Sequence, residues 1–401
     1  MLKYIENGTV TSVQGIKAAG IHCGIKRKRK DLAVIYSETP CTVAGTFTLN
    51  KVKAAPLLVS QKVIEGKKPV KAVVVNSGNA NACTGDTGMY DALVMQVHTA
   101  QMLNLEKNEV LISSTGVIGE KMPMDNLLNG ISDISGLLSS NGGHDAASAI
   151  MTTDTKPKSY AVKVELESGV ITIGAICKGS GMIMPNMATM LAFIATDAAI
   201  GTDFLQKLLS KAVSKSFNKI SVDGETSTND MVTIMANGLS GIEIKENSED
   251  ENKFFEALSA LCVTMAKAIV SDGEGATKVV TINVTGANTE TDADLVAKFI
   301  ANSALVKTAI YGCDANWGRI MSAAGMSGAD IDPSKMSISF NDLPILKPDY
   351  ALELNEEAAL EILKLPEYQI NVNLNGGSKS STWWTCDFTE DYIKINSEYR
   401  T

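Results

Sequence analysis

Clusters of histidine and cysteine, which mark metal sites and many hydrolases, are missing from this chain of 401 residues. The three histidines are scattered, at positions 22, 98 and 144. The seven cysteines are an odd number without a CxxC pair, and they stand at 23, 41, 83, 177, 262, 313 and 386. The sequence therefore argues against a metal site and against a disulfide framework. Because there is no GxSxG segment either, a Ser-His-Asp hydrolase has little support.

Long apolar runs are lacking too. The longest, from 182 to 195, is interrupted by Pro185, Asn186 and Thr189, and it falls short of the ~20 residues of a membrane span. The first residues, MLKYIENGTVTSVQG, contain no apolar core of a signal peptide. We therefore predict no membrane association. The scattered cysteines are typical of a protein in the reducing cytoplasm.

Positive charge is also scarce, because 36 Lys and Arg face 45 Asp and Glu, which gives a formal net charge of -9. This balance is the opposite of the basic footprint that a nucleic-acid-binding protein usually carries. The one basic run, KRKRK at 26–30, is typical of a solvated loop. No nucleic-acid partner is therefore expected, and the 45% hydrophobic composition is that of a globular protein.

What the chain does contain is a mixture of strand and helix patterns. Apolar runs predict strands at 72–76 and 110–114 with a helix at 89–105 between them, and alternation predicts a hairpin over 159–177. A later helix is predicted to follow Thr202, which would be its N-cap, and two more are predicted near 254–269 and 291–303. Later strands are predicted from 279 and near 369–375, 383–388 and 392–396. The fold class is α/β (α+β), with hairpins rather than strict βαβ alternation.

The length of the chain allows more than one hydrophobic core. In SDGEGATK, at 271–278, Gly273 and Gly275 mark a loop, and we place a boundary at its end. We therefore predict a larger domain at 1–278 and a smaller C-terminal α/β domain at 279–401.

The stretch CKGSGMIMPNMATMLAFIATDA, at 177–198, places Ala188 and Thr189 at the start of an apolar strand pattern. If the bond between them breaks, Thr189 gains a free α-amine, whose reference pKa of ~7.7–8.0 makes it a base near neutral pH. Nucleophile and base then belong to one residue, and no histidine is required. On chemistry alone this signal is weak, because Ala-Thr pairs are common, and a core strand that happens to carry a threonine is the better explanation.

A second segment, ISSTGVIG at 112–119, is a strand that runs into a Thr-Gly turn. Gly116 lets the backbone approach a ligand closely, and Thr115 adds a hydroxyl to the backbone N–H donors. Such donors can stabilise the oxyanion that forms in acyl transfer. Taken alone, the segment is better explained by an ordinary glycine at a strand-to-turn junction.

Together these segments resemble one family, the ornithine acetyltransferases of arginine biosynthesis, called the ArgJ family. The segments that carry the resemblance follow the family order over nearly the whole chain: VVVNSGNANACTG (73–85), SSTGVIGE (113–120), TTDTKPK (152–158), KGSGMIMPNMATML (178–191), SVDGETSTND (221–230), VSDGEGATK (270–278), LVKTAIYGCDANWGRI (305–320) and DYIKINSEYRT (391–401). In one departure, Cys313 and Ala315 stand where an acidic residue and a proline are expected, away from the catalytic positions.

The resemblance implies self-cleavage between Ala188 and Thr189. It also implies ping-pong transfer of the acetyl group of N2-acetylornithine to glutamate through an acetyl-Thr189 intermediate. The oxyanion hole would be formed by Thr115 and Gly116. The implied substrate contacts are Thr152, Lys178, Thr189, Glu274, Asn396 and Thr401. These residue types suit the substrates, because a lysine and hydroxyls can bind carboxylates and a glutamate can bind the distal ammonium of ornithine.

The resemblance further implies a layered αββα fold, shared with certain self-processing aminopeptidases, and a C-terminal tail that closes the site. Cleavage would give an α chain of residues 1–188 and a β chain of residues 189–401, in an α2β2 assembly. No cofactor is implied, and the use of acetyl-CoA as a second acetyl donor stays open. We assign Asn79, Asn81 and Asp223 to tight turns that at most support the site.

Two other functions stay open. A related aminopeptidase or amidase would use the same nucleophile with water as the acceptor. A chain that is never cleaved would use the fold as a binding module. Acetylornithine turnover that does not depend on glutamate would favour the first alternative, and an intact chain on a denaturing gel would favour the second.

Overall fold

The computed structural model of the chain describes residues 2–184 and 190–398. Its strands, in chain order, are β1 (Leu2–Tyr4), β2 (Ile16–Ile21), β3 (Leu32–Phe47), β4 (Val70–Asn79), β5 (Val110–Val117), β6 (Lys158–Glu165), β7 (Val170–Lys178), β8 (Leu191–Thr196), β9 (Ile220–Ser221), β10 (Met231–Ala236), β11 (Val279–Ala287), β12 (Ser337–Phe340), β13 (Leu343–Lys347), β14 (Ala351–Leu352), β15 (Glu367–Asn373) and β16 (Lys379–Cys386).

The helices, in chain order, are α1 (Ala55–Glu65), α2 (Gly85–Leu103), α3 (Met124–Ser135), α4 (Gly143–Ala149), α5 (Thr202–Ser214), α6 (Glu249–Ser271), α7 (Glu290–Asn302), α8 (Ala304–Tyr311), α9 (Trp317–Gly325), α10 (Glu356–Leu363) and α11 (Glu390–Glu398). Thr202 is the first residue of α5, and its N-cap is Gly201, so the predicted cap was wrong by one residue.

A nine-stranded sheet that folds over on itself forms the centre of the larger part of the chain. Its strand order is β1-β6-β7-β8-β10-β3-β4-β5, and β2 also pairs with β3. The long strand β3 belongs to both halves, because its pairing is interrupted between Tyr36 and Cys41. The first part of β3 pairs with β2 and β4, and the second part pairs with β10.

The two halves of the sheet face each other across a shared hydrophobic core, and helices cover their outer faces. Along β8, Leu191 and Phe193 pack in the core between the halves, whereas Ala192 and Ile194 pack with α5 and α6. Along β4, the same alternation places α2 and α3 on the outer side. The layers are therefore α, β, β and α, as predicted. Strands that are covered on both faces carry continuous apolar runs, which is why these strands were recognisable from the sequence.

A second sheet of seven strands, in the order β14-β13-β12-β15-β11-β16-β9, lies in the C-terminal part. It has a core of its own, to which α7, α9 and α10 contribute Val296, Ile320 and Leu363. The short strand β9 comes from earlier in the chain and pairs with β16. The first long strand of this sheet in chain order, β11, begins at Val279, next to the predicted boundary. The division into two domains stays a prediction.

Most predicted elements lie within a few residues of the observed ones, including the hairpin of β6 and β7. The predicted strand at 392–396 is wrong, because these residues belong to α11. The alternation in YIKIN suggests a strand, but the chain before it contains the signals of a helix start. The hydroxyl of Thr389 accepts a hydrogen bond from the amide of Tyr392 (3.4 Å), and Glu390 and Asp391 stand in the first turn.

Among the described residues one helix, α6, is long and apolar enough to cross a membrane by length and composition. Its apolar face is instead part of the core, where Phe254, Leu258, Leu261 and Met265 are fully buried. Core helices pass the same test of length and composition. In this fold α5 and α6 cover the outer face of the half of the sheet that contains β8.

Candidate active site

One cavity brings together the described residues that the sequence assigned to catalysis and substrate binding. It has a volume of about 280 Å³ and lies at the ends of β5 and β7, against the loop after α6 and against α11. Its walls include Thr115, Gly116, Thr152, Lys178, Glu274 and Asn396. The other assigned residues, Ala188, Thr189 and Thr401, lie outside the described residues.

Thr115 and Gly116 stand near the end of β5, beside β4. Gly116 has a φ of +134°, and a Cβ atom there would lie 2.3 Å from the carbonyl carbon of Gly78. Glycine is therefore required at this position both by the backbone conformation and by the close approach of the strands. The hydroxyl of Thr115 lies 3.4 Å from the ammonium of Lys178. A hydroxyl and backbone N–H groups at one strand end can act together as donors to an oxyanion.

Asn229 fixes the backbone that precedes Thr115. Its buried side-chain amide donates to the carbonyl oxygens of Ser114 (2.8 Å) and Ala80 (2.7 Å). Its amide oxygen accepts a hydrogen bond from the hydroxyl of Thr228 (2.5 Å). Because the donors and the acceptor of this carboxamide all have partners, the peptide before Thr115 is held in one orientation.

Lys178, the last residue of β7, brings a buried cation to the cavity. Burial lowers the pKa of its ammonium, and the nearby Lys158 lowers it further. The carboxylates that oppose this shift are Asp154, Asp230 and Glu274. A charge that is largely removed from water interacts strongly with an opposite charge, so Lys178 is suited to binding a carboxylate.

The C-terminal helix α11 forms one side of the cavity through Tyr392 and Asn396. These two residues are one helical turn apart and therefore lie on the same face. Asn396 donates from Nδ2 to Oε2 of Glu274 (2.8 Å), and Tyr392 lies near Asp223 in the same cavity wall. Burial and the nearby carboxylates raise the pKa of Tyr392. Gly275 permits this contact, because a Cβ atom there would lie 2.6 Å from the amide nitrogen of Tyr392.

Asp223 holds the chain that leads toward residues 185–189. Its carboxylate accepts hydrogen bonds from the amides of Met182 (2.6 Å), Ile183 (2.8 Å) and Glu225 (3.1 Å). Burial raises the pKa of Asp223, and these three bonds oppose the shift. Because Met182 itself lines the cavity, the chain reaches the cavity wall shortly before residue 185.

After residue 189, the chain enters β8 through Met190. The carbonyl of Met190 accepts a hydrogen bond from the amide of Met231 (3.1 Å), the first residue of the neighbouring strand β10. Asp230, which precedes β10, has a buried carboxyl, and its Oδ2 has no hydrogen-bond partner among the residues that the structure describes. Burial raises the pKa of Asp230 well above its usual value. Residues 185–189 are therefore preceded by a segment held by Asp223 and followed by one beside Asp230.

Several residues of the cavity were not singled out from the sequence. Tyr392 was missed because its segment was predicted to be a strand. Thr228 and Asn229 were missed because segment 221–230 was assigned to turns, although its polar residues stand directly before an apolar strand, which is a signal that could have identified them. The structure also places Asp223 in the cavity wall, whereas Asn79 and Asn81 are held in loop hydrogen bonds away from the cavity.

Comparison with known proteins identifies the relatives of this chain. Residues 17–401 match the ArgJ family. The chain belongs to the ArgJ family. It is 45% identical over 404 residues to the arginine biosynthesis bifunctional protein ArgJ of Oceanobacillus iheyensis. This alignment covers 100% of this chain and 98% of that protein. It is 49% identical over 407 residues to the arginine biosynthesis bifunctional protein ArgJ 1 of Clostridium acetobutylicum, with 100% and 99% covered.

A crystal structure of the arginine biosynthesis bifunctional protein ArgJ from Bacillus halodurans is 43% identical to the matched part of this chain, with a TM-score of 0.44. It covers 46% of this chain and 97% of the other. Membership of the ArgJ family confirms the resemblance inferred from the sequence, and with it the prediction of an acetyltransferase of arginine biosynthesis. The nucleophile, the cleavage site and the individual substrate contacts stay predictions at this point.

Proposed function

We propose that this ArgJ-family chain transfers the acetyl group of N2-acetylornithine to glutamate through an acetyl ester on Thr189. The products are ornithine and N-acetylglutamate. The observation that carries the proposal is that the described residues assigned to catalysis and binding line a single cavity. They come from segments between 115 and 396 that are far apart in the sequence, and Met182, just before residues 185–189, lines the same cavity.

The nucleophile in this proposal is Thr189 after the Ala188–Thr189 bond has broken. The Thr189 hydroxyl attacks the carbonyl carbon of Ala188, an ester replaces the peptide bond, and water then hydrolyses that ester. The α chain leaves with Ala188 at its carboxyl end, and Thr189 keeps a free α-amine and a free hydroxyl. The amine, with a reference pKa of ~7.7–8.0, serves as the base for the hydroxyl beside it.

Cleavage at this point would leave the two chains together. The cut lies between β7 and β8, which are paired as antiparallel neighbours from Lys178↔Leu191 to Ile173↔Thr196. The backbone hydrogen bonds of this pair and the cores on both faces of the sheet would bind the α chain to the β chain. We retain an α2β2 assembly and a cytoplasmic location as predictions.

In the first half-reaction, Oγ of Thr189 attacks the acetyl carbonyl carbon of N2-acetylornithine, and the α-amine of Thr189 accepts the hydroxyl proton. The carbonyl oxygen becomes an oxyanion and receives hydrogen bonds from the Thr115 hydroxyl and the backbone N–H of Gly116. When the carbon–nitrogen bond breaks, the α-amine of Thr189 returns the proton to the departing nitrogen. Ornithine leaves, and the acetyl group stays on Oγ as an ester.

In the second half-reaction, the unprotonated α-amine of glutamate attacks the ester carbon. The same donors stabilise the second oxyanion. The α-amine of Thr189 accepts a proton from the attacking nitrogen and passes it to Oγ as the carbon–Oγ bond breaks. N-acetylglutamate leaves, and Thr189 is regenerated. No cofactor is needed, because the acetyl group passes from one amine to another through a single hydroxyl.

Recognition follows from the charges that the cavity presents. The substrates share an α-carboxylate, which Lys178 and Thr152 would bind. Ornithine also carries a distal ammonium, for which Glu274 is the partner, and Asn396 holds that carboxylate in place through the 2.8 Å hydrogen bond. Thr401 is assigned a further contact from the family motif.

Acetyl-CoA could serve as a second acetyl donor, since a thioester would acylate the same hydroxyl. This finer proposal is separate from the transfer described above. It is tested by incubating the protein with labelled acetyl-CoA and without acetylornithine. Label on the chain that begins at Thr189, and its passage to glutamate, would support the activity, whereas an unlabelled chain would exclude it.

The experiment that tests the proposed function is a single half-reaction. Purified protein is mixed with N2-acetylornithine alone, and ornithine release is followed together with the mass of each chain. We expect one ornithine per site in a burst, and a gain of one acetyl group on the chain that begins at Thr189. Glutamate added later should remove that acetyl group and yield N-acetylglutamate.

The same experiment separates the transferase from its alternatives. Continuous ornithine release with acetate as the product, independent of glutamate, would identify an amidase. No ornithine release and an unmodified chain would leave only a binding role. Thr189→Ala, which removes the nucleophile, is the matched variant that should show neither the burst nor the acetylated chain.

A further inference from the structure

A cluster of buried charges lies next to the cavity and takes no part in the reaction as proposed. It consists of Asp154, Lys158 and Asp272, each more than nine-tenths buried, and none of them lines the cavity. The ammonium of Lys158 lies 2.7 Å from Oδ1 of Asp154 and 2.5 Å from Oδ2 of Asp272. Because burying charges is unfavourable unless they are well paired, such a cluster beside a functional site calls for an explanation.

Asp154 connects two segments of the site. Its Oδ2 accepts a hydrogen bond from the amide of Thr152 (3.0 Å), and its Oδ1 accepts one from the amide of Gly179 (2.7 Å). Gly179 directly follows Lys178, so a single carboxylate fixes the backbone that carries both Thr152 and Lys178. Burial would raise the pKa of Asp154, but the charges of Lys178 and Lys158 outweigh burial and hold the pKa below its usual range.

Asp272 connects a third segment, the loop that carries Glu274. Its carbonyl accepts a hydrogen bond from the hydroxyl of Ser180 (2.6 Å), and the carbonyl of Ser180 accepts one from the amide of Glu274 (3.0 Å). Its carboxylate accepts hydrogen bonds from the amide (3.1 Å) and the hydroxyl of Thr155. The cluster therefore joins the backbone segments that present Thr152, Lys178 and Glu274.

We infer that Asp154 is a positioning residue: its carboxylate holds the backbone of Thr152 and of Lys178 at the spacing that binds the α-carboxylate of both amino-acid substrates, and it places a negative charge beside Lys178. Lys158 and Asp272 complete the cluster, since the ammonium of Lys158 contacts both carboxylates, while Lys178 is a second cation on which the charge of Asp154 acts. This inference rests on the proposed function, in which Lys178 and Thr152 contact the substrates.

The inference predicts a specific pH effect. The charges that act on Lys178 come from Asp154, Lys158, Asp230 and Glu274, with Lys26 as a further cation nearby. Burial lowers the pKa of Lys178, and Asp154 is the carboxylate that opposes this most. Removing the charge of Asp154 would lower that pKa further, so Lys178 would lose its proton at a lower pH. The alkaline limb of kcat/KM should then move to lower pH.

The test compares the pH profiles of the wild-type protein and Asp154→Asn, which has nearly the same shape but no charge. We expect KM for acetylornithine and for glutamate to rise about tenfold above neutral pH, which is the size expected for one charge-assisted hydrogen bond, with a smaller change in kcat. The alkaline limb should move down by about one pH unit. The difference in KM between the variant and the wild type should shrink as the pH falls, because Lys178 is then protonated in both proteins.

Several variants separate positioning from a general loss of structure. In Asp154→Glu, which keeps the charge, the alkaline limb should lie closer to its wild-type pH than it does in Asp154→Asn. Asp272→Asn, which removes the carboxylate on the far side of Lys158, should lower Tm without moving the limb. Glu246→Gln, which breaks an exposed pair with Lys207, should match the wild type in every measurement.

A second variant tests the inference even if Asp154→Asn folds poorly. At a pH below the alkaline limb, where Lys178 is protonated, Asp154→Asn leaves two cations, Lys158 and Lys178, against the single carboxylate of Asp272, whereas Asp154→Asn with Lys178→Met restores one against one. The double variant should therefore have a higher Tm than Asp154→Asn alone. An unmoved alkaline limb in a folded Asp154→Asn, or a double variant no more stable than the single one, would overturn the inference. A wild-type protein that releases no ornithine would instead contradict the proposed function.

Discussion

The side-chain amide of Asn396 lies 2.8 Å from the carboxylate of Glu274, although the two residues are 122 positions apart in the chain. This hydrogen bond joins the C-terminal helix to the loop after α6 and makes the tail part of the cavity wall. No residue of α11 is buried, so the helix is held by a few polar contacts and by its partly buried aromatic ring rather than by a core. Its removal should therefore affect activity more than stability.

The first prediction concerns this tail. Deleting residues 396–401 should abolish acetyl transfer, because it removes the partner of Glu274 and the contact assigned to Thr401. Self-cleavage and Tm should change little, because residues 396–398, the part of this segment that the structure describes, contribute no side chain to the hydrophobic cores. Transfer rates and Tm of the deletion variant and of Asn396→Ala give the measurement. A deletion variant that keeps the wild-type rate would show that the tail does not complete the site.

The second prediction concerns the two halves of the reaction. Glu274→Gln keeps the hydrogen bond from Asn396 but removes the charge that binds the distal ammonium of ornithine. Loss of one charged hydrogen bond is worth about 1.5–3 kcal/mol, so kcat/KM for acetylornithine should fall about tenfold to a hundredfold. Glutamate has a carboxylate at that end, so its KM should stay the same or fall. Steady-state kinetics with each substrate varied would measure these constants. An equal loss of kcat/KM for acetylornithine and for glutamate would contradict the assignment.

The third prediction concerns the oxyanion donors. Thr115→Val keeps the shape of the side chain but removes the hydroxyl, so kcat should fall by ~10²–10³ with little change in KM. Thr115→Ser, which keeps the hydroxyl, is the control and should stay within about tenfold of the wild type. If the valine variant turns over at the rate of the serine variant, the hydroxyl of Thr115 does not stabilise the transition state.

The fourth prediction concerns stability and pH. Burial raises the pKa of Asp230 well above its usual value. Above the unfolded pKa of ~3.9 and below the folded pKa, the folded protein binds more protons than the unfolded chain, so this residue lowers stability as the pH rises. Asp230→Asn removes the effect, so its Tm relative to the wild type should increase from pH 4 to pH 7. The limiting slope is ~1.4 kcal/mol per pH unit.

Thermal unfolding across this pH range provides the test, with Asp203→Asn as the control, because Asp203 is an exposed carboxylate paired with Lys67. The control should show no such trend. A Tm difference for Asp230→Asn that stays constant with pH would mean that Asp230 ionises as readily in the folded protein as in the unfolded chain.

The central strands were predictable from the sequence because they are covered on both faces, whereas their layered αββα arrangement was implied by the family resemblance. The runs at 72–76 and 110–114 are continuous and apolar, and such runs indicate buried strands without any knowledge of their partners. The end of the chain was not predictable in the same way. Residues 392–396 alternate like a strand, and what favours a helix is the hydroxyl cap at Thr389, the acidic residues of the first turn and the tertiary contacts of Tyr392 and Asn396.

For the site, the sequence identified residues that carry recognisable motifs but not those that act through geometry. Thr115, Lys178 and Glu274 were assigned from the family resemblance, and the structure brings them to one cavity. Asp154 lies in one of the same motifs, yet its role depends on the amides of Thr152 and Gly179, which meet only in the folded protein. No spacing in the sequence contains that information.

The most direct test of the account is the intact mass of freshly purified protein under denaturing conditions, beside Thr189→Ala. We expect the wild type to give two chains, residues 1–188 and residues 189–401, and the variant to give one uncleaved chain. This result would establish that Thr189 becomes an N-terminal nucleophile. A single uncleaved chain in both proteins would contradict the account, because Thr189 would then have no free amine to act as the base.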